Sequence, residues 1–363
     1  MVAAVIMSRA DACLVSAGVL LSACGLTLLA LDALTGARPW AYAERQGIGF
    51  AVGLSSFAFL RYRRARCRDP GVLCALTAPL LLLEPRDGPF ALPVDGALAA
   101  WLVTWAAVGV VALVLLGRLS RLDGDQWLRL RDVVCVLPPV VFFAFLAFVL
   151  DGPAPAFTVA VVASVMIRFV GVRWWQALLP VATLVLLAAI LVTALDYRMA
   201  RLATIVVEAI QRHPPPHAVS LAEMMVRRRD VAVRLGGGQP IWVSLPPRQA
   251  RQLALARVVA EMGYSGAGLV GLLFGVIGWV GFRSAADEAL CVTRLIQAGT
   301  TSALVVPAVW HATGCLVLFS AAFGPLPFVS YGPAEQAIAW LALGVMAIAR
   351  EPRGAELPPG RST

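Results

Sequence analysis

Two prolines, a serine, a tyrosine and a glutamate cluster near the end of this chain. The segment reads Gly324-Pro325-Leu326-Pro327-Phe328-Val329-Ser330-Tyr331-Gly332, with Glu335 three residues on. Each proline removes a backbone donor and clashes with the preceding turn, so a regular helix cannot run through the pair. Irregular backbone at membrane depth survives only inside protein or beside a cavity. The segment therefore predicts a break whose freed backbone groups need partners. Ser330 and Tyr331 would offer hydroxyls there, and Glu335 a carboxylate. A plain turn with an interfacial tyrosine is the simpler alternative. Glu261, Arg168 and Arg257 fall inside apolar runs, where a charge is costly unless it faces protein or finds a partner. Asp95 and Glu261 are the partners considered for the two arginines. A carboxylate in such a place suits proton transfer, and guanidinium forks suit phosphate.

The remaining polar chemistry is sparse. Cys13, Cys24, Cys67, Cys74, Cys135, Cys291 and Cys315 show no paired spacing, and most lie in apolar runs. They read as core thiols. His213, His217 and His311 make no metal site with them, so neither a metal nor a cofactor is expected. Gly236-Gly237-Gly238 lacks phosphate-loop spacing and reads as an elbow. His213-Pro214-Pro215-Pro216-His217 reads as a stiff loop.

The elements that must position these residues are membrane helices. The 363 residues are 60% hydrophobic and 14% charged, with a mean hydropathy of +0.81. Soluble chains are about 25% charged, so this much apolar surface needs lipid as its solvent. Runs long enough to cross a bilayer recur at about 12–34, 47–61, 70–84, 95–117, 133–150, 155–171, 175–195, 253–282, 298–323 and 334–350. The expectation is an all-α polytopic bundle of about ten spans, forming a single membrane domain over 1–350. The first span reads as a retained signal-anchor. The tail 351–363 is rich in Pro, Gly and charge and predicts disorder.

All thirty basic residues are arginine, against 21 acids, for a net charge of +9. Loop arginines set orientation. Arg61, Arg63, Arg64, Arg66 and Arg68, then Arg118, Arg121, Arg129 and Arg131, then Arg283, Arg294, Arg350, Arg353 and Arg361 all fall on one side if both termini are cytoplasmic. The one long loop, about 196–251, is then outside, although it carries Arg227-Arg228-Arg229; loops of that length follow the rule less strictly. Arginines on both faces exclude a nucleic-acid surface. They suit anchoring at lipid headgroups, or a site for an anionic substrate such as a lipid pyrophosphate.

The stretch Pro325-Leu326-Pro327-Phe328-Val329-Ser330-Tyr331-Gly332 resembles the signature of the shape, elongation, division and sporulation family, the FtsW/RodA/SpoVE proteins. Leu341-Ala342-Leu343-Gly344 and Arg350 resemble that family's closing helix. Ala260-Glu261-Met262-Gly263-Tyr264-Ser265-Gly266-Ala267 resembles its eighth helix. Gly171-Val172-Arg173-Trp174 and Tyr197-Arg198-Met199-Ala200-Arg201-Leu202 resemble two further stretches, and Leu92-Pro93-Val94-Asp95 an opening motif in which Asp95 takes a glutamate's place.

This resemblance implies peptidoglycan assembly at the outer face of the bacterial inner membrane. The substrate would be lipid II, an undecaprenyl-pyrophosphate-linked precursor, and the partner a single-span penicillin-binding transpeptidase. Candidate substrate contacts are Asp95, Arg198, Arg201, Pro327, Ser330, Tyr331 and Gly332. Glycan polymerisation would need a carboxylate to deprotonate the acceptor hydroxyl and cations near the leaving pyrophosphate. The sequence departs from the family at that point. In Leu245-Pro246-Pro247-Arg248-Gln249-Ala250-Arg251-Gln252-Leu253, the family's aspartate position holds Arg251 or Gln252. Glu335 and Glu261 are the substitute acids to weigh, with Glu208, Glu223 and Asp230 in the long loop. Two alternatives to a polymerase follow: a catalytically silent lipid II-binding or scaffold protein, and a lipid or solute transporter.

Overall fold

Apolar runs of about 20 residues become helices in lipid, because only internal hydrogen bonds satisfy the backbone there. The structure is a computed structural model that describes residues 9–34, 40–62, 96–119, 130–193, 234–235, 239–240, 253–288, 290–317 and 325–348. The helices are α1 (Arg9–Leu34), α2 (Ala41–Tyr62), α3 (Gly96–Leu119), α4 (Leu130–Val134), α5 (Leu137–Asp151), α6 (Pro153–Phe169), α7 (Trp174–Ala177), α8 (Leu179–Thr193), α9 (Ala254–Asp287), α10 (Cys291–Val317) and α11 (Pro333–Ile348). Strands β1 (Arg234–Leu235) and β2 (Gln239–Pro240) pair antiparallel on either side of the triple glycine.

Among the described residues, Ala10–Leu34, Leu98–Leu119, Asp132–Asp151 and Ala254–Asp287 are long and apolar enough to cross a membrane. Helices α6 and α11 are shorter apolar helices. The chain is thus an all-α polytopic membrane protein. The expected span at 70–84, most of the loop 196–251 and the tail 351–363 lie outside the described residues.

Two helices start earlier than their apolar runs suggest. Helix α2 begins at Ala41 rather than 47, and α10 at Cys291 rather than 298. Their first turns carry polar residues that hydropathy excludes, of which Gln46 and Gln297 are buried against protein. Gly152, at φ 93°, breaks the chain between α5 and α6 just before Pro153. Gly263, at φ 72° and ψ −172°, divides α9 into two helical segments across a kink. Residues with a Cβ rarely adopt either conformation.

Two cores form. One gathers α1, α2, α9 and α11, and the other α3, α5, α6 and α10. Helix α11 is buried on every side from Pro333 to Gly344, as expected for a helix that is apolar all round beyond its first turn. Trp340, fully buried, is its centre. The indole meets Phe50, Phe57 and Phe328 edge-on at 5.6, 6.0 and 6.0 Å, and such pairs contribute about 0.5–1.5 kcal/mol each beyond area. Gly18 of α1 and Gly53 of α2 let α11 approach: a Cβ at either would meet Leu343 or Trp340 at 2.8 and 2.7 Å.

Helix α1 carries a buried carboxylate near each end. Asp11 pairs with Arg61, at the end of α2, at 2.6 Å. Asp32 pairs with Arg257, at the start of α9, at 2.7 Å. The Asp32 end of the bundle also holds the start of α2, the end of α10 and the start of α11. It is the end that the arginine pattern predicts to face outward.

Candidate functional site at the Pro325–Gly332 segment

Residues 325–332 form no helix, as the paired prolines require. Every residue of the segment is buried, so its backbone groups must find partners within the protein. The Leu326 N–H donates to the Ser330 hydroxyl at 2.7 Å, and the Ser330 N–H donates to the Leu326 carbonyl at 2.9 Å. The two residues close a tight turn over Pro327. Phe328, inside it, has φ 65°, an uncommon conformation for a bulky residue. The ring is 2% exposed, and packing against Phe274 and Trp340 holds it there.

The rest of the segment is held from α2. Gln46 is 1% exposed. Its Oε1 accepts from the Gly332 N–H at 2.9 Å. Its Nε2 donates to the Ser330 carbonyl at 3.3 Å and to Gln336 Oε1 at 3.1 Å. One side chain thus grips the backbone on both sides of Tyr331. Gln336 donates onward to Ser22 of α1, whose hydroxyl also accepts from Trp340 Nε1 at 3.1 Å. Buried networks of this kind specify a unique packing when satisfied. Glycines allow the close approach. A Cβ on Gly25 would meet the Val329 carbonyl at 2.7 Å, and one on Gly49 would collide with the backbone of Pro333.

Ser330 and Tyr331 therefore lie inside the bundle, at 5% and 6% exposure. The Tyr331 ring stands 5.0 Å from that of Tyr42. Glu335, 5% exposed, occupies the first turn of α11. Its carboxylate folds back against Gly332, where any Cβ would strike Oε2. A carboxylate there is favoured by the helix dipole. Glu261 is exposed on α9, two residues before the Gly263 kink. The two candidate acids are thus placed very differently, one inside the segment's packing and one on the surface. Arg168 is exposed in the last turn of α6. Asp95, Arg198, Arg201, Arg251, Gln252, Glu208, Glu223 and Asp230 lie outside the described residues.

Among the described residues, Arg257 pairs with Asp32 of α1 rather than with Glu261, which is exposed. The Arg257 Nη2 donates to Asp32 Oδ1 and to the Leu28 carbonyl. The residues Leu253 to Val259 are buried throughout, and their orphan helix-terminal donors need acceptors. His311 of α10, fully buried, supplies one by accepting the Leu255 N–H at 3.2 Å. The start of α9 is thus fixed to α1 through an ion pair and to α10 through an imidazole cap. It directly follows the positions of Arg251 and Gln252.

Gln46, Ser22, Asp32 and His311 were not legible as site residues. They are scattered over three helices, α1, α2 and α10, with no local motif. The one available signal was their polarity inside or beside apolar runs.

A groove of 1110 Å³ runs along α9 and α10 from Leu255 and Leu326 to Arg283 and Asp287. Gly268, Gly271 and Gly275 line it with open space in front of each, and Trp279 stands exposed on it.

No curated protein matches the chain. Among solved structures, the chain is similar to one described under "Structural coordination of polymerization and crosslinking by a peptidoglycan synthase complex", at 20% identity and a TM-score of 0.61, over 93% of this chain and 96% of that one. That likeness shows a shared fold. The family model of the FtsW/RodA/SpoVE cell cycle proteins matches residues 110–353, which include the buried segment, α9, α10 and α11. With two thirds of its length matched, the chain belongs to the FtsW/RodA/SpoVE family.

Proposed function

We propose that this protein works in peptidoglycan assembly, binding lipid II at the outer face of the bacterial inner membrane as part of a synthase complex. The observation that carries this reading is the family match over 110–353 together with the buried Pro325–Gly332 segment. Its orientation, with both termini cytoplasmic, rests on the loop arginines. A lipid-linked pyrophosphate has two needs: cations near its oxygens and an apolar path for its tail. Arg198 and Arg201 are the proposed cations, and Asp95 with Pro327, Ser330, Tyr331 and Gly332 the proposed frame of the sugar site. The partner is a single-span penicillin-binding transpeptidase. The glycine-lined groove on α9 and α10 offers its helix an apolar seat, since small residues let helix backbones approach in lipid.

Two readings of the chemistry remain distinct. As a polymerase, the protein would need a carboxylate in place of the family's aspartate, and Glu335 and Glu261 are the substitutes. As a silent lipid II-binding member, it needs none. The presence of Arg251 or Gln252 at the aspartate position favours the second, because neither side chain accepts a proton at neutral pH. Purified protein in nanodiscs with fluorescent lipid II decides between them. Glycan chains that disappear on Glu335→Gln or Glu261→Gln establish the polymerase. Saturable binding with no polymer establishes the silent member. Flux of lipid across proteoliposomes without saturable lipid II binding would overturn both.

A further inference from the structure

The segment most specific to the family is held by residues outside the family match. Residues 1–109 are not covered by it, yet Gln46, Ser22, Gly25 and Gly49 make the close contacts to 326–336. Of these, Gln46 is distinctive. A hydrophobic side chain of the same length would fill the same space, but the neutral amide accepts from Gly332 and donates to Ser330 at once, whatever the pH. These two bonds straddle Tyr331 and fix both its flanking peptide planes. The Leu326–Ser330 turn fixes the other side of Ser330. The strained Phe328 lies between, and strained backbone persists only where the surroundings over-determine it.

We infer that Gln46 is a positioning residue for the functional segment: it holds Ser330-Tyr331-Gly332 in the conformation that receives the substrate, so α2 is part of the site. The claim rests on the lipid II reading above, and it assigns Gln46 no contact with substrate. Preorganisation is where its effect is felt. Without the amide the segment keeps its apolar packing but samples several backbone arrangements, and affinity falls by the fraction that remains competent.

The test compares wild type with Gln46→Met in nanodiscs, using the full chain. Methionine keeps length and apolar volume and removes all three hydrogen bonds. Two readouts are taken: hydrogen exchange of the peptide spanning 326–332, and binding of fluorescent lipid II. The expected result is faster exchange confined to 326–332, with exchange across α3 and α6 unchanged, and binding about tenfold weaker. Gln46→Glu, measured at a pH high enough to ionise the carboxyl, keeps an acceptor for the Gly332 N–H and loses the donor to Ser330; it is expected to fall between the two. It also serves as the comparison should the methionine variant misfold. Loosened exchange with wild-type binding would overturn the inference, as would unchanged exchange. If wild type itself binds no lipid II, the functional reading fails, and the exchange readout still decides whether Gln46 holds the segment.

Discussion

Arg257 and Asp32, 225 residues apart in sequence, meet at 2.7 Å inside the bundle. Arg257 also donates to the Leu28 carbonyl, so the guanidinium binds both the side chain and the backbone of α1. The contact fixes the first turns of α9, which open directly after Arg251 and Gln252. Removing one partner of a buried pair leaves an uncompensated charge and costs about 3–5 kcal/mol, whereas replacing both with apolar residues is often neutral. Asp32→Asn is expected to destabilise strongly in detergent unfolding. The double variant Asp32→Leu with Arg257→Met should recover most of the loss. Equal damage from the single and double variants would show that the pair does not act as a unit.

The Ser330 hydroxyl makes the turn at Pro327 a closed structure. Ser330→Ala leaves the Leu326 N–H buried without its acceptor, at a cost of about 1–3 kcal/mol. The amide of Leu326 should then exchange faster by a comparable factor. Unchanged exchange there would mean that the turn is held by its prolines alone.

Gly25 lets α1 touch the carbonyl of Val329. Gly25→Val forces these backbones apart, and overpacking of this kind costs about 1–3 kcal/mol. Gly47 and Gly109, beside which a Cβ meets nothing within 4 Å, serve as controls. Alanine at either should leave the unfolding midpoint within the scatter of wild type.

His311 caps the start of α9 through Leu255. His311→Leu keeps an apolar side chain and removes the acceptor, so the buried N–H loses its partner at about 1–3 kcal/mol. Exchange or limited proteolysis should report fraying confined to 253–259, while the α9 segment beyond Gly263 stays protected. Fraying that extends through α9 would deny the kink its role as a boundary.

Much of the helical architecture was readable from hydropathy, because a lipid-spanning run must be both long and apolar. The starts of α2 and α10 were not. Glu44, Arg45 and Gln46 end the apolar run at about 47, yet the helix continues back to Ala41 because Gln46 finds its partners in a segment nearly three hundred residues away. The break at Pro325 and Pro327 was readable from proline chemistry, and so was the need for partners. Which partners was not, since nothing local marks Gln46 as one of them. Arg257 shows the same limit. Its position implied a charged partner, for which Asp95 and Glu261 were considered, whereas Asp32 is brought to it by the packing of α1 on α9. The sequence also suggested Ser330 and Tyr331 as hydroxyls offered at that break. Their burial follows from the close approach that Gly25 and Gly49 permit, which is a property of two other helices.

Recognition of lipid II by this bundle can be measured directly. The most direct measurement is equilibrium binding of fluorescent lipid II to the full chain in nanodiscs, against empty nanodiscs and with undecaprenyl phosphate as competitor. Saturable binding is expected, which unlabelled lipid II displaces and which undecaprenyl phosphate, lacking the sugar and the second phosphate, displaces far less well. Equal partitioning of the probe into loaded and empty nanodiscs would contradict it.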